Sequence, residues 1–310
     1  MRHISIAAFD DQVNNRLRRV PETSKLPIWN TPAPPDLSSC SAFPAGFSSW
    51  QRYHAVEVDK ITGITFFFLS GRLFGIHIHS TEEPCAMSTY ERFANRLGPR
   101  IVWIYLSISK KDRLLVLGVR EEPKRRLNIL ARTQKLGNVV LGQHIKGGFK
   151  DRCLGKSAPI TLIHGEPIEG YPVHFFGAYC ALSSATPLPD PFRLETPGPD
   201  PIGDDSYFSW APVEGVSSTI TFIDQATGFC RGIMFQYYNG GSRAIGQCRL
   251  HVDPTESVIQ PLMLCFRAES YRSRSDKMHH GIPQGWECQL LRGYVKFWFT
   301  SRSSFLAIQN

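Results

Sequence analysis

No part of this 310-residue chain comes near the run of about eighteen apolar residues that a membrane-spanning helix requires. Near the N-terminus the apolar patch Ile6-Ala7-Ala8-Phe9 stops at Asp10 and Asp11, too short for the hydrophobic region of a signal peptide. Neither secretion nor membrane insertion is expected. The eight cysteines form no CxxC and no tight framework, which excludes a zinc knuckle and a small disulfide scaffold. Several lie inside apolar runs, where a free thiol packs as a small hydrophobe, so a reduced, cytoplasmic protein is expected.

The motifs of common catalysts are missing as well. There is no GxGxxG, no GxSxG elbow and no HExxH. Leu154-Gly155-Lys156-Ser157 has the ending of a phosphate-binding loop, but Lys150 stands where its first glycine belongs and Pro159 refuses the following helix. An NTPase is set aside. The net charge of +8 is divided among short clusters such as Lys110-Lys111-Asp112-Arg113 and Lys124-Arg125-Arg126 at turns, without a basic stripe beside exposed aromatics, so nucleic acid is not an expected partner.

What is present is strand. Short β-branched and aromatic runs bounded by Gly, Pro, Asp or Lys follow one another, among them ITGITFFF, RIVWIYLSI, NVVLGQHI and YVKFWFT, in a chain that is 42% hydrophobic and 20% charged. The reading is all-β. One helix is expected over 88–98, with Ser88 as its cap, Glu91 completing a capping box and Gly98-Pro99 ending it. Two proline-rich passages punctuate the chain. They divide it into an N-terminal arm (1–47) pinned by Trp29 and Phe43, a β domain (48–185), a linker (186–205) and a second β domain (206–310).

An internal repeat emerges when glycines are aligned. Residues 61–78, 127–145 and 230–249 each read as an apolar strand, a glycine turn and a return strand with an apolar-Gly pair, which is the pattern of a β-hairpin. On ITGITFFFLSGRLFG, RIVWIYLSISKKDRLLVLGV, LNILARTQKLGNVVLG and PVHFFGAYC, in that order, residues 57–182 resemble the jacalin-like β-prism family. The remainder resembles fungal proteins. The resemblance implies a β-prism or β-sandwich architecture and a sugar site with a Gly-x-x-x-Asp loop after the closing strand. This chain has Gly177-Ala178-Tyr179-Cys180-Ala181 there, so the aspartate that would hold paired hydroxyls is absent.

One stretch has metal-ligand spacing. In GRLFGIHIHSTEE, His77 and His79 share a strand face and Glu83 follows the turn, as in the first metal motif of cupins. The required second element has the wrong spacing near Pro167–His174, and the repeat aligns His77 with His144 and Cys248. A strand position recurring in every hairpin reads as structural, so no metal and no cofactor is expected. Paired carboxylates such as Glu82-Glu83, and the pair His279-His280, read as solvated turns.

The remaining candidates are polar aromatics and cations on apolar strands. Trp103, Tyr105, Tyr237, Trp286 and Trp298 are candidate binding residues, and His174, Tyr238 and Arg292 are candidate catalytic donors. The expectation is a small organic substrate held in an apolar cleft between the β regions by a cofactor-independent enzyme. Cyclisation, cycloaddition or isomerisation, as in fungal secondary metabolism, is the class of chemistry such donors assist. A jacalin-like lectin with a glycan ligand and a protein-interaction module are the alternatives, and the sequence leaves the oligomeric state open.

Overall fold

The computed structural model describes residues 27–43, 52–122, 126–144, 148–156, 158–180, 192, 198, 200–203, 206–267 and 285–309. The first-half elements are β1 (Ile28–Trp29), β2 (Ser41–Phe43), β3 (Arg52–Glu57), β4 (Gly63–Leu69), β5 (Arg72–His79), α1 (Met87–Leu97), β6 (Val102–Ser107), β7 (Leu114–Glu121), β8 (Leu127–Thr133), β9 (Gly137–Leu141), β10 (Lys150–Lys156), β11 (Thr161–Gly165) and β12 (Phe176–Tyr179). The second half adds β13 (Tyr207–Pro212), β14 (Val216–Ile223), β15 (Cys230–Tyr237), β16 (Ser242–Gly246), β17 (Thr255–Ile259), β18 (Met263–Phe266), β19 (Glu287–Leu290), β20 (Tyr294–Phe299) and β21 (Ser304–Gln309).

The fold is all-β, with α1 as the single α-helix among the described residues. The strands form open sheets ordered β1-β3-β11-β12-β2, β5-β4-β6 and β10-β7-β8-β9 in the first half. In the second half they form β16-β15-β14-β17, β13-β20-β21 and the ribbon β18-β19. Among the described residues no helix is long and apolar enough to cross a membrane.

β4 explains the layering. Its residues are buried on both faces: Phe66 and Phe68 enter the main core, whereas Phe67 joins Trp103 and Phe93 beneath α1. Burying a phenylalanine is worth about 2–3 kcal/mol, so this strand ties two layers together. Helix α1 presents Met87, Tyr90, Phe93 and Leu97 along one face, and the Phe93 ring approaches β5 at Gly75, where an added Cβ would lie 2.5 Å from it. The expected cap differs. The helix begins at Met87 with Ala86 before it and no side-chain cap, so Ser88 lies inside the first turn and its capping box does not form. Gly98 ends the helix at φ 67°, a conformation glycine adopts without a Cβ penalty.

The three repeats are hairpins, β4–β5, β8–β9 and β15–β16, and each return strand lies at the edge of its sheet. The arm contributes β1 and β2 at opposite edges of the five-stranded sheet, with Trp29 packed 5.4 Å from Tyr53 and Phe43 against the main core. Most of passage 186–205 lies outside the described residues. One hydrophobic cluster nevertheless draws on both sides of it, from Val58 and Phe66 to Phe235, Phe297 and Phe299. Polar contacts cross with it: Trp103 N–H donates to Gln247 Oε1 at 3.0 Å and Gly71 N–H to the Tyr207 hydroxyl at 3.2 Å.

The cysteines require a correction. Cys265 and Cys288, facing each other across β18 and β19, form a disulfide. Their separation of 23 residues hides the pairing in the sequence, and the ribbon brings their Cα atoms to 4.0 Å. A fully reduced thiol set is the ground for expecting a cytoplasmic protein, and this pair removes that ground.

Candidate functional site

Three sheet edges converge where the halves meet. β6 ends the β5-β4-β6 sheet, β9 ends the β10-β7-β8-β9 sheet and β16 ends the β16-β15-β14-β17 sheet. Edge strands carry unpaired backbone groups, and here they enclose a small space whose wall is more apolar than polar, Leu106, Val139 and Ala244 forming part of it. The cavity, about 10 Å³, is lined by Tyr105 and Ser107 of β6, Thr133 and Leu136 of the β8–β9 hairpin, and Ser242 and Arg243 of β16. Such a volume suits about one water-sized sphere. Its floor is buried, while Ser107, Leu136 and Ser242 on its rim are partly exposed.

Arg243 is the chemical centre of this space. It is 3% exposed, its Nη2 donates to the Leu136 carbonyl at 2.8 Å, and its guanidinium lies over the Trp210 ring at 4.8 Å. Its Nε and Nη1 have no hydrogen-bond partner. Burial pulls the guanidinium down to about 10, still above neutral pH, so the side chain is a buried cation. The surrounding phenols offer no countercharge. Tyr105 donates to the Thr62 carbonyl at 2.9 Å and Tyr237 to the Pro212 carbonyl at 2.7 Å, and burial pushes both hydroxyls upward, so each keeps its proton. Ser107 Oγ and Ser242 Oγ bond each other at 2.5 Å, one hydroxyl donating and leaving the other's proton to point elsewhere.

The residues singled out in the sequence separate into three groups. Tyr105 lines the cavity, and Tyr237 acts electrostatically on Arg243. Trp103 and Trp298 are buried in packing, the first 4.8 Å from Phe67 and the second 4.9 Å from Phe208. His174, Tyr238, Trp286 and Arg292 are exposed, and Arg267 lies over the Trp286 ring at 5.2 Å. None of these four lines the seam cavity. Sequence reasoning missed Arg243, Ser107, Ser242 and Thr133; the available signal was an arginine between a glycine turn and the apolar pair Ala244-Ile245.

His77 and His79 do share a face, with rings 4.7 Å apart, but both are buried and their nitrogens already have protein partners. His77 Nε2 donates to the Glu83 carbonyl at 3.2 Å and its Nδ1 accepts from Thr89 Oγ1 at 2.8 Å. His79 Nδ1 donates to the Pro84 carbonyl at 2.8 Å and its Nε2 accepts from Thr65 Oγ1 at 2.7 Å. Carbonyl acceptors fix both tautomers. Burial lowers both imidazoles, His79 to about 4, so they remain neutral. Glu83 meets His77 through its backbone carbonyl, and among the described residues no cluster of three ligating side chains occurs. The aligned His144 and Cys248 do separate work: His144 N–H bonds the Ser206 carbonyl, and Cys248 Sγ contacts the Ile245 carbonyl. The pair His279-His280 lies outside the described residues.

No protein family, curated protein or solved structure matches this chain.

Proposed function

We propose that the protein binds a small organic molecule whose oxygen-bearing group enters the seam cavity against Arg243. The observation that supports this is the buried guanidinium with two unpartnered nitrogens beside paired serine hydroxyls. Burying a cation without a partner costs several kcal/mol, and a ligand oxygen offsets that cost. A fixed cation in a low-dielectric cavity also stabilises negative charge developing on a carbonyl oxygen. That is the assistance a cofactor-independent cyclisation, cycloaddition or isomerisation of a carbonyl compound uses. The lectin reading gains no support at its own position, because Phe176–Tyr179 forms a strand hydrogen-bonded on both sides by β11 and β2.

The test is direct. Cyclohexenone and benzoate are titrated into wild-type protein and Arg243→Met, with intrinsic tryptophan fluorescence, to which Trp210 beside Arg243 contributes, as readout. A saturable change in the wild type for at least one probe, weakened about tenfold or more in the variant, supports the reading. Equal binding by both proteins, or no response to either probe, overturns it.

A second reading, a protein-interaction module, is favoured by exposed apolar residues in and beside β17, β18 and β19: Ile259 is 80% exposed, Leu262 79% and Trp286 65%. Pull-down by this protein that is lost on Ile259→Ser and Leu262→Ser, with Arg243 intact, would favour it.

A further inference from the structure

We infer that the occupant of the seam cavity presents a negative charge, of the carboxylate class, to Arg243. This rests on the reading of the seam as a binding site and adds the charge of what binds there. A neutral carbonyl or a water molecule can accept a hydrogen bond from Nε or Nη1, but neither balances the buried cation.

Few acidic groups serve Arg243. Asp112 and Tyr237 are the groups that act on it electrostatically. Tyr237 is a protonated phenol. The Asp112 Oδ1 accepts the backbone N–H of Arg113 and of Lys135, each at 2.9 Å, and no described carboxylate forms an ion pair with Arg243. The β6–β7 and β8–β9 turns beside the cavity carry Lys110, Lys111, Arg113 and Lys135 against Asp112 alone, and the Lys111 side chain packs at Gly240 in the turn leading to β16. This corner attracts anions.

The shape narrows the class. A planar carboxylate can place one oxygen in a space for about one water-sized sphere while the rest of the molecule extends past the partly exposed Ser107 and Ser242. A tetrahedral phosphate or sulfate presents a bulkier head. Guanidinium and carboxylate are matched in planarity and in hydrogen-bond polarity, with Ser107 or Ser242 able to donate as well.

The experiment follows thermal unfolding at constant ionic strength in sodium acetate, in sodium chloride and in acetamide, the neutral shape-match of acetate, for wild type and Arg243→Met. A ligand that binds only the folded state raises the midpoint with the logarithm of its concentration. In the wild type the expected result is such a rise with acetate, with acetate binding at least about tenfold tighter than acetamide or chloride, as a charged hydrogen bond requires. Arg243→Met is expected to start at a higher midpoint and to ignore acetate. Equal responses to acetate and acetamide, lost in the variant, overturn the charge assignment and leave the site standing. Chloride as effective as acetate overturns the carboxylate class. No difference between wild type and variant under any probe, cyclohexenone and benzoate included, removes the site together with its charge. Should Arg243→Met fail to fold, Arg243→Lys keeps the charge and loses the fork: about tenfold weaker acetate binding with its preference over acetamide retained supports the inference, and loss of that preference overturns it.

Discussion

The β7–β10 ladder and the seam beneath β16 each bury an arginine, and they treat its charge in opposite ways. Arg120 is 3% exposed and reaches Asp151 on the facing strand with Nε at 2.7 Å and Nη2 at 2.8 Å, while Phe149 covers its guanidinium at 3.7 Å. Arg243 is equally buried and receives one carbonyl and one indole face, with Asp112 acting on it electrostatically but forming no ion pair with it. Two cations of equal burial, one closed by the chain and one left open, show that the fold has the means to neutralise an internal arginine. At the seam it does not use them. A closed pair is accounted for by stability, whereas the open one is what the proposed ligand would complete.

The first half also closes its buried imidazoles, and acid reopens them. His79 and His164 are held neutral by burial, lowered from 6.5 to about 4 and about 3. Because the folded values lie below the unfolded one, their contribution is complete above pH 6.5. It is lost as pH falls from 6.5 toward 4, where the unfolded chain binds protons that the folded chain refuses. Each histidine contributes a slope of about 1.4 kcal/mol per pH unit inside that window, so the pair should cost about 5 kcal/mol between pH 6.5 and 4. Urea midpoints measured at half-unit steps should fall steadily across it. A flat profile would mean that these imidazoles are not closed, and would blur the contrast with Arg243. Arg243 itself keeps its proton throughout this range.

Breaking the closed arginine pair is the next largest effect. Asp151→Ala leaves Arg120 buried without its carboxylate and should destabilise by about 3 kcal/mol, since removing one member of a buried pair strands the other. Arg243→Met should move the opposite way, stabilising by about 1–3 kcal/mol, because an apolar side chain replaces an unpaired buried charge. Opposite signs in the same unfolding assay sharpen the comparison. Destabilisation by both would make Arg243 a structural residue and break it.

The sequence carried much of the architecture because strand alternation and glycine turns are local. The hairpins β4–β5, β8–β9 and β15–β16 turn through Gly71, Gly137 and Gly240, all at positive φ, where a side chain would strain the backbone. The seam was not legible for the complementary reason. Tyr105, Thr133 and Arg243 come from three sheets and meet only after the edges of those sheets converge, so no spacing within one segment announces them. His77 and His79 are the converse case, a local motif with metal-ligand spacing that the hairpin repeat marked as structural and whose ring nitrogens are engaged by neighbouring carbonyls and hydroxyls. Cys265 and Cys288 were hidden in the same way as Arg243, by a partner distant in the chain.

A third arginine sets the lower limit of the comparison. Arg292 is exposed at the turn before Gly293, which has φ 73°, and its backbone N–H donates to the Leu290 carbonyl at 2.8 Å. Water already solvates its charge, so Arg292→Ala should change stability by no more than about 0.5 kcal/mol. The same variant should leave the acetate-dependent rise in unfolding midpoint at its wild-type size, because Arg292 is not among the residues lining the seam cavity. Loss of that rise in Arg292→Ala, with Arg243 untouched, would move the anion from the buried arginine to the solvated one. The openness of Arg243 would then be a tolerated cost of packing β16 against β6, and the contrast with Arg120 would concern stability alone.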